Sequence, residues 1–167
     1  MNFSTCDFCD AHKSDDSGEF RVLPGGLYAS YGALPRFAGP VTTVRCIEDN
    51  SMVKSLVESP GHGRVLVVDG GGSMRRALLG GNLAAAAAKN GWAGLLIEGC
   101  VRDLAELAAA QTGILARAHV PMPTDRRGQG VVDVVLQLHG VWIRPGDWLY
   151  ADEDGVVIST KPLHQTD

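Results

Sequence analysis

The strongest hydrophobic pattern lies in the middle of the chain. Val65–Val68 is a continuous apolar run ended by an aspartate and Gly70–Gly72, which is typical of a strand buried on both faces and its following turn. A second run of this kind covers Gly94–Ile97. Between the two runs, Leu83–Lys89 consists almost entirely of alanine, the residue with the highest helix propensity. This stretch therefore predicts a strand, a helix and a second strand, which together form a βαβ unit.

Shorter patterns predict the elements that precede this unit. Ser4–Ala11 is interpreted as a short helix with a hydroxyl residue as its cap. Glycines and prolines spaced through Leu23–Gly39 exclude a long regular element and indicate a loop over the core. Pro40–Ile47 alternates β-branched residues and predicts a strand, whereas Asn50–Val57 has apolar residues at helical spacing and predicts an amphipathic helix.

Beyond the unit, the chain changes from helical to strand periodicity. Leu104–Gln111 predicts a helix, Ile114–Ala118 a short strand, and the polar segment Pro121–Gly130 an exposed loop or a subunit contact. Four strands separated by hairpin signals follow: Val131–Leu138, Val141–Ile143, Trp148–Ala151 and Val156–Ser159. The sequence thus predicts one α/β domain over residues 1–167, with a central βαβ unit and a mostly antiparallel C-terminal β layer.

Composition and charge narrow the functional classes. Of the 167 residues, 45% are apolar and 20% are charged, as in ordinary globular domains. The net charge of −4 argues against the broad basic surface with which proteins bind nucleic acid. The apolar stretches are too short to span a bilayer, and the N-terminus has acidic residues where a signal peptide needs cationic ones. We therefore expect a cytoplasmic protein that contacts neither nucleic acid nor membrane directly.

Cys6 and Cys9 form a C-x-x-C pair near the N-terminus. Zinc binding would need a second pair at the right spacing, and redox use would need a βαβ start around the motif; the sequence has neither. We expect both cysteines to pack as small apolar side chains on a helix face.

The glycine-rich segment Gly80–Leu83 immediately precedes the predicted alanine helix. Free backbone N–H groups and the helix dipole attract an anion at such a position, and a carboxylate would fit there. The alternative is a plain glycine and asparagine cap without a ligand. In open α/β sheets, ligands bind beyond the carboxyl ends of the strands, so the turn at Gly70–Gly72 and the pair Arg102 and Asp103 are expected to share one edge.

Arg102 and Asp103 follow the second strand directly, at the same edge. An aspartate offers the hard oxygen that Mg²⁺ and Mn²⁺ prefer, and one or two carboxylates with waters suffice for such ions. The neighbouring arginine offers a forked cationic donor to a carboxylate or an enolate. The alternative is an Arg-Asp pair that only caps the next helix. Asp69, at the end of the first strand, is either a partner of this pair or a turn former.

Four runs of the sequence resemble one known family. They are FAGPVTTVRCIEDNSMVK, VLVVDGGGSMRRALLG, KNGWAGLLIEGCVRD and WIRPGDWLYADEDGVVIS. They are similar to the family of the regulator of ribonuclease E activity A, which also contains the class II 4-hydroxy-4-methyl-2-oxoglutarate aldolases, and the likeness extends over nearly the whole chain. The resemblance implies a swivelling β/β/α domain that assembles as a homotrimer or a dimer of trimers, with sites at subunit interfaces.

The resemblance also implies a site and two functions. In aldolase members a divalent cation, Mg²⁺ or Mn²⁺, bound at Asp103 holds a pyruvate-like unit, Arg102 steadies the enolate, and the backbone of Gly80, Gly81, Asn82 and Leu83 binds the carboxylate. The implied substrates are 4-hydroxy-4-methyl-2-oxoglutarate and 4-carboxy-4-hydroxy-2-oxoadipate, with oxaloacetate decarboxylation as a companion activity. The alternative is a non-catalytic regulator that binds and inhibits ribonuclease E. S-adenosylmethionine-dependent methyl transfer has no support, since no glycine fingerprint followed by a ribose-binding acid appears at the first strand.

One position departs from the aldolase pattern. Aldolase members usually carry an aspartate or glutamate, which holds the metal through water, where this chain has Gly81. The neighbouring Asn82 is neutral and cannot supply the missing charge. The resemblance therefore implies weakened metal binding and catalysis unless another acid, such as Asp69, compensates.

Overall fold

The computed structural model describes residues 1–164. Its helices are α1 (Thr5–His12), α2 (Ser51–Val57), α3 (Gly81–Lys89) and α4 (Leu104–Ala109). Its strands are β1 (Phe20–Val22), β2 (Ala29–Ser30), β3 (Phe37–Arg45), β4 (Val65–Asp69), β5 (Ala77–Leu79), β6 (Gly94–Val101), β7 (Gly113–His119), β8 (Val131–Val132), β9 (Leu136–Leu138), β10 (Val141–Ile143), β11 (Trp148–Ala151) and β12 (Val156–Ser159). Across residues 1–164, none of the helices is long and apolar enough to cross a membrane.

The centre of the fold is a parallel sheet of β3, β4, β6 and β7, and three helices cover one of its faces. Leu66 and Val68 of β4 belong to the core under α2, α3 and α4, whereas Val65 and Val67 belong to a second core on the opposite face. Successive side chains of a strand point to opposite faces, so β4 is buried on both. This confirms the predicted βαβ unit.

The antiparallel layer encloses the second core. Strand β3 belongs to both layers, because its residues 37–40 pair antiparallel with β11 while its residues 41–45 pair parallel with β4. Strands β12 and β1 continue the antiparallel part beyond β11, and β9 forms a hairpin with β10. Two β layers and one helical layer make a β/β/α domain, so the predicted fold class is confirmed.

Two predicted segments divide differently in the structure, and one strand is not predicted. The predicted loop Leu23–Gly39 contains β2 and the start of β3, because Phe37 and its neighbours pair with the distant strand β11. The predicted strand Val131–Leu138 is two short strands, since Asp133 between them adopts a left-handed backbone conformation with φ 60°. Strand β5 follows the glycine turn and pairs with β6, although the surrounding sequence does not indicate a strand.

Only one of the two N-terminal cysteines packs as expected. Cys9 is partly buried against the small core cluster of Phe3, Tyr150 and Val157. Cys6 is exposed, and both thiols are free. The expectation of two packed cysteines is therefore wrong for Cys6, which lies on the outer side of α1.

A buried carboxylate ties the antiparallel layer to the central sheet. Glu98 of β6 is only 6% exposed, and it accepts hydrogen bonds from the hydroxyl of Tyr28 and from Nη1 of Arg117 at 2.6 Å. Nε2 of His139 lies 2.9 Å from Oε2, the oxygen that also accepts the Tyr28 hydroxyl. Burial by itself raises the pKa of Glu98, but these hydrogen bonds outweigh it and leave the pKa below its usual value.

Replacing Glu98 by glutamine should lower the free energy of unfolding at pH 7 by about 2–3 kcal/mol, because a partly buried Arg117 loses its counter-charge. A carboxyl group whose pKa is lower in the folded than in the unfolded state stabilises the folded protein above the unfolded pKa, which is about 4.3 for glutamate. This stabilisation is lost as the pH falls through the folded-state pKa. The difference between the two proteins in urea unfolding should therefore shrink below about pH 4. A difference that stays constant from pH 7 to pH 3 would contradict the role of the charge, and the exposed Glu58→Gln variant is the matched control.

Candidate active site

A cavity of about 330 Å³ opens where β6 ends and α3 begins. Gly80–Leu83 and the pair Arg102 and Asp103 line one side of it. Asn50, Thr124 and Arg126 line the other side. The structure thus brings Gly80–Leu83 together with Arg102 and Asp103, as the sequence predicts, although the two segments are about twenty positions apart in the chain.

Asp103 is held in an unusual conformation at this edge. It occupies the N-cap position of α4 with a left-handed backbone, φ 60° and ψ 51°, yet its side chain makes no capping hydrogen bond. Its Oδ2 instead accepts a hydrogen bond from the backbone N–H of Gly81 at 2.9 Å. The alternative in which Asp103 serves only to cap the next helix is therefore wrong, because its carboxylate faces the start of α3.

Gly80 allows the backbone to approach both charged groups closely. A Cβ atom at this position would lie 2.7 Å from Oδ2 of Asp103 and 3.3 Å from Nε of Arg102. Any side chain at position 80 would therefore displace the carboxylate or the guanidinium.

The guanidinium of Arg102 retains most of its donors for a ligand. Its Nε lies 3.9 Å from Oδ2 of Asp103, and its Nη1 lies 3.5 Å from the carbonyl oxygen of Pro121. Both contacts are long, and 40% of the side chain is exposed. A carboxylate or an enolate oxygen in the cavity can therefore reach its free N–H groups.

The start of α3 offers fewer free donors than the sequence suggests. The first N–H groups of a helix have no acceptor within the helix. In α3, the N–H of Gly81 donates to the carboxylate of Asp103 and is therefore not free for a ligand. Gly80, the N-cap residue, provides no side-chain bond. The N–H groups of Asn82 and Leu83 are left to face an anion at the positive end of the helix dipole.

Asp49 anchors the loop that forms the opposite wall. It is 2% exposed and accepts backbone hydrogen bonds from Ser51, Arg127 and Gln129 at 2.8–3.1 Å. Burial raises the pKa of its carboxyl, but a hydrogen bond from the Ser51 hydroxyl at 2.6 Å, together with the backbone bonds, outweighs burial and lowers the pKa to about 2. The anchor is thus ionised throughout the neutral range.

Asn50 fixes a second guanidinium at the cavity. Its Nδ2 donates to the carbonyl oxygen of Leu78 at 3.1 Å, which orients the amide. Its Oδ1 then accepts from Oγ1 of Thr124 at 2.8 Å and from Nε of Arg126 at 3.1 Å. The sequence predicts only an exposed loop or subunit contact here; its single hint of function is the pair of adjacent arginines in PTDRRGQG.

The glycine turn and Asp69 lie outside this cavity. Oδ2 of Asp69 lies 3.3 Å from Nε of Arg45, and Oδ1 accepts the N–H of Gly71 at 2.9 Å. Gly70 and Gly72 donate to the backbone oxygen of Glu98. Asp69 is therefore a turn former with its own arginine partner, and it does not compensate for Gly81.

The donor set at Asp103 suits a hard divalent cation that retains water. Mg²⁺ and Mn²⁺ are bound through one or two carboxylates, with waters completing the coordination. Gly81 engages one oxygen of Asp103, which leaves the other available, and the carboxylate of Glu106 lies beside the same glycine. Within residues 1–164, no group of three or more His, Cys, Asp and Glu side chains is placed to hold a metal ion.

Comparisons with known proteins point to one family. The RraA-like family, described as Aldolase/RraA, matches residues 5–158. A protein of Albidiferax ferrireducens named "Putative 4-hydroxy-4-methyl-2-oxoglutarate aldolase" is 61% identical over 97% of this chain and 98% of its own length. Among solved structures, the RNA-processing inhibitor RraA from Thermus thermophilis is 43% identical, with a TM-score of 0.91 over 99% of this chain and 98% of that one. A Geobacillus kaustophilus structure described as S-adenosylmethionine: 2-dimethylmenaquinone methyltransferase is 44% identical, with a TM-score of 0.87 over 96% and 97% of the two chains.

Proposed function

Because the chain belongs to the RraA-like family of aldolases and RraA proteins, we propose that it is a divalent-metal-dependent class II aldolase. Its substrate is 4-hydroxy-4-methyl-2-oxoglutarate or 4-carboxy-4-hydroxy-2-oxoadipate, and its side activity is oxaloacetate decarboxylation. The observation that carries the proposal is the placement of Arg102 and Asp103 on one cavity wall, next to the free N–H groups at the start of α3.

The cavity supports a defined orientation of the keto acid. The carboxylate next to the keto group accepts hydrogen bonds from the N–H groups of Asn82 and Leu83, where the helix dipole favours an anion. Asp103, with Glu106 beside it, would hold Mg²⁺ or Mn²⁺; when bound, the cation acts as a Lewis acid toward the keto oxygen. This orientation directs the keto group toward Arg102 on the same wall.

Arg102 acts on the charge that develops as the carbon–carbon bond breaks. The substrate hydroxyl loses its proton to solvent and becomes the keto group of one product, while the electron pair of the broken bond moves onto the pyruvyl unit and produces an enolate, whose oxygen carries the new negative charge. A proton from solvent then converts the enolate to pyruvate. A permanently charged guanidinium with free N–H groups stabilises this oxygen more strongly than the neutral keto group. Loss of CO₂ from oxaloacetate produces the same charge, so the same residue serves both reactions.

Arg126 provides a second anion-binding position for the far carboxylate of the substrate. Its guanidinium lines the wall opposite Arg102, and the hydrogen bond to Asn50 fixes its orientation. Arginine recognises carboxylates through paired donors, so one guanidinium on each side offers two positions for a dicarboxylate. Asp125 also lines this wall, but its carboxylate is 74% exposed and lies 3.9 Å from Nη2 of Arg127. Both proposed substrates and oxaloacetate have at least two carboxylates.

Arg126→Gln should raise KM for oxaloacetate by about 10-fold while kcat changes by less than about threefold, because this contact is present in the ground state and the transition state alike. Arg127→Gln is the matched control, since the Arg127 side chain is 70% exposed and is not among those that line the cavity. Steady-state kinetics with Mn²⁺ at saturation measure both constants. Equal KM values for the two variants would show that Arg126 does not bind substrate.

The test of the proposed function is pyruvate release by the purified full-length chain. Release from 4-hydroxy-4-methyl-2-oxoglutarate and from oxaloacetate should require Mg²⁺ or Mn²⁺ and should stop when a chelator is added. Divalent cations slowly decarboxylate oxaloacetate on their own, so the reference is the same metal without protein. Release no faster than this reference, with every metal and both substrates, would overturn the proposal.

A second candidate function is protein-based inhibition of ribonuclease E. The similarity to the RNA-processing inhibitor RraA of Thermus thermophilis favours it, and the net charge of −4 suits a basic partner region. Retention of ribonuclease E on the immobilised chain at low salt, together with slower RNA cleavage, would support this function. Methyl transfer is not proposed, because Gly70–Gly72 is followed by Ser73 and two arginines without the cofactor fingerprint.

We further propose that the chain assembles as a homotrimer or a dimer of trimers through the edge that carries the site. Exposed apolar side chains follow the carboxyl ends of all four parallel strands: Ile47, Met74, Leu104 and Met122. Apolar residues grouped at one edge are a common feature of subunit contacts. Light scattering coupled to size-exclusion chromatography measures the assembly directly.

A further inference from the structure

Gly81 and Glu106 compete for the same space. A Cβ atom at position 81 would overlap Oε2 of Glu106, and it would lie 2.6 Å from the Cδ and 2.8 Å from the Cβ of that side chain. The Glu106 side chain therefore lies along Gly81 and places its carboxylate where a side chain at position 81 would begin. Position 81 has to be glycine as long as Glu106 keeps this conformation.

We propose that Glu106 supplies the second carboxylate of the Asp103 site, in the place of the acid that the chain lacks at position 81. The inference rests on the proposed function, since it concerns the same divalent cation. Glu106 is a ligand of the cation or of its water shell.

The geometry places both carboxylates against one residue. Oδ2 of Asp103 lies 2.9 Å from the backbone nitrogen of Gly81, and the carboxylate of Glu106 overlaps the position that a Cβ atom of the same residue would take. The N–H of Glu106 donates to the backbone oxygen of Asp103 at 2.9 Å, which holds the start of α4 against the N-cap residue. The two acids thus converge from α4 onto the start of α3.

Among the described residues, only one of these two carboxylates has a basic side chain within ion-pair distance. Within residues 1–164, Glu106 forms no ion pair, and Asp103 has only the long contact to Arg102 at 3.9 Å. Two neighbouring carboxylates repel each other, and a divalent cation between them removes that cost. Asp69 cannot take this role because Arg45 and the glycine turn occupy its carboxylate.

The test is calorimetric titration of the full-length chain with Mn²⁺ alone. Glu106→Gln should raise the Kd for Mn²⁺ by at least about 10-fold, the lower end of what the loss of an outer ligand costs. Glu58→Gln, at the exposed end of α2, should leave the Kd unchanged. The double variant Gly81→Asp with Glu106→Ala places a carboxylate at position 81 and removes the Glu106 side chain that would overlap it. It should bring the Kd back to within about threefold of the wild type.

Two results separate this inference from the proposed function. If Asp103→Asn weakens Mn²⁺ binding and Glu106→Gln does not, the inference is overturned while the proposed function stands. If Mn²⁺ binding depends on Glu106 and yet no variant or wild-type protein releases pyruvate, the inference stands and the proposed function fails. A wild-type chain that binds no Mn²⁺ overturns both. Glu106 is exposed, so its variants should fold, and their circular dichroism spectra check this.

Discussion

Asp103→Asn should lower metal-dependent pyruvate release from oxaloacetate by at least about 100-fold, since the cation contributes several kcal/mol of charge stabilisation. Asparagine has nearly the same shape, and its amide oxygen can still accept the N–H of Gly81 that Oδ2 of Asp103 accepts. The substitution therefore removes the negative charge that holds the cation and keeps the local structure. Initial rates with Mn²⁺, corrected for release by the metal alone, measure the loss.

Two further measurements make this result specific. Asp16→Asn, the same chemical change at an exposed N-terminal position, should retain the wild-type rate. The Kd for Mn²⁺ should rise in the Asp103→Asn variant and not in the Asp16→Asn variant, because only the first removes a ligand. Wild-type rates in Asp103→Asn would show that Asp103 does not hold the cation.

The sequence predicts the central strands and helices well. The strands form a parallel sheet that is buried on both faces. Such strands are continuous apolar runs, and this pattern is unbroken over Val65–Val68 of β4 and Gly94–Ile97 of β6. The run ends at Glu98, so the pattern does not predict that β6 continues to Val101. The boundaries of Val131–Leu138 could not be predicted in the same way. Asp133 turns the backbone there because its N–H donates to Thr43 of β3, a contact that the alternating pattern does not encode.

The two walls of the cavity differ in how far the sequence predicts them. Gly80–Leu83 and Arg102 with Asp103 follow the rule that sites lie beyond the carboxyl ends of parallel strands. Arg126 reaches the same cavity only because Asn50 holds it from a position 76 residues away in the chain. No periodicity or short sequence motif indicates a contact between residues so far apart in the chain.

Gly81 illustrates how one residue can be judged differently from sequence and from structure. In the sequence, Gly81 stands where aldolase members usually carry an acid, and the sequence therefore predicts weaker metal binding. In the fold, the same glycine leaves room for the carboxylate of Glu106. For this reason Gly81→Asp by itself should not strengthen Mn²⁺ binding: the new side chain and Glu106 would occupy the same space.

Arg102→Lys should lower kcat for oxaloacetate decarboxylation by about 100-fold or more, a loss typical of removing a donor to a developing oxyanion. Lysine keeps the positive charge but cannot present two donors in one plane to the enolate and the neighbouring carboxylate. The Kd for Mn²⁺ should stay within about threefold of the wild type, because both carboxylates at Gly81 are untouched.

These two outcomes distinguish the role of Arg102 from the role of Asp103. Arg102 contributes after the cation and the keto acid are bound, so its loss appears in kcat, whereas the loss of Asp103 appears first in the Kd for the metal. Arg127→Lys, the same substitution at a 70% exposed position, should change neither constant. A kcat near the wild-type value in Arg102→Lys would mean that charge alone suffices at this wall, and the forked donor would then have no part in stabilising the enolate.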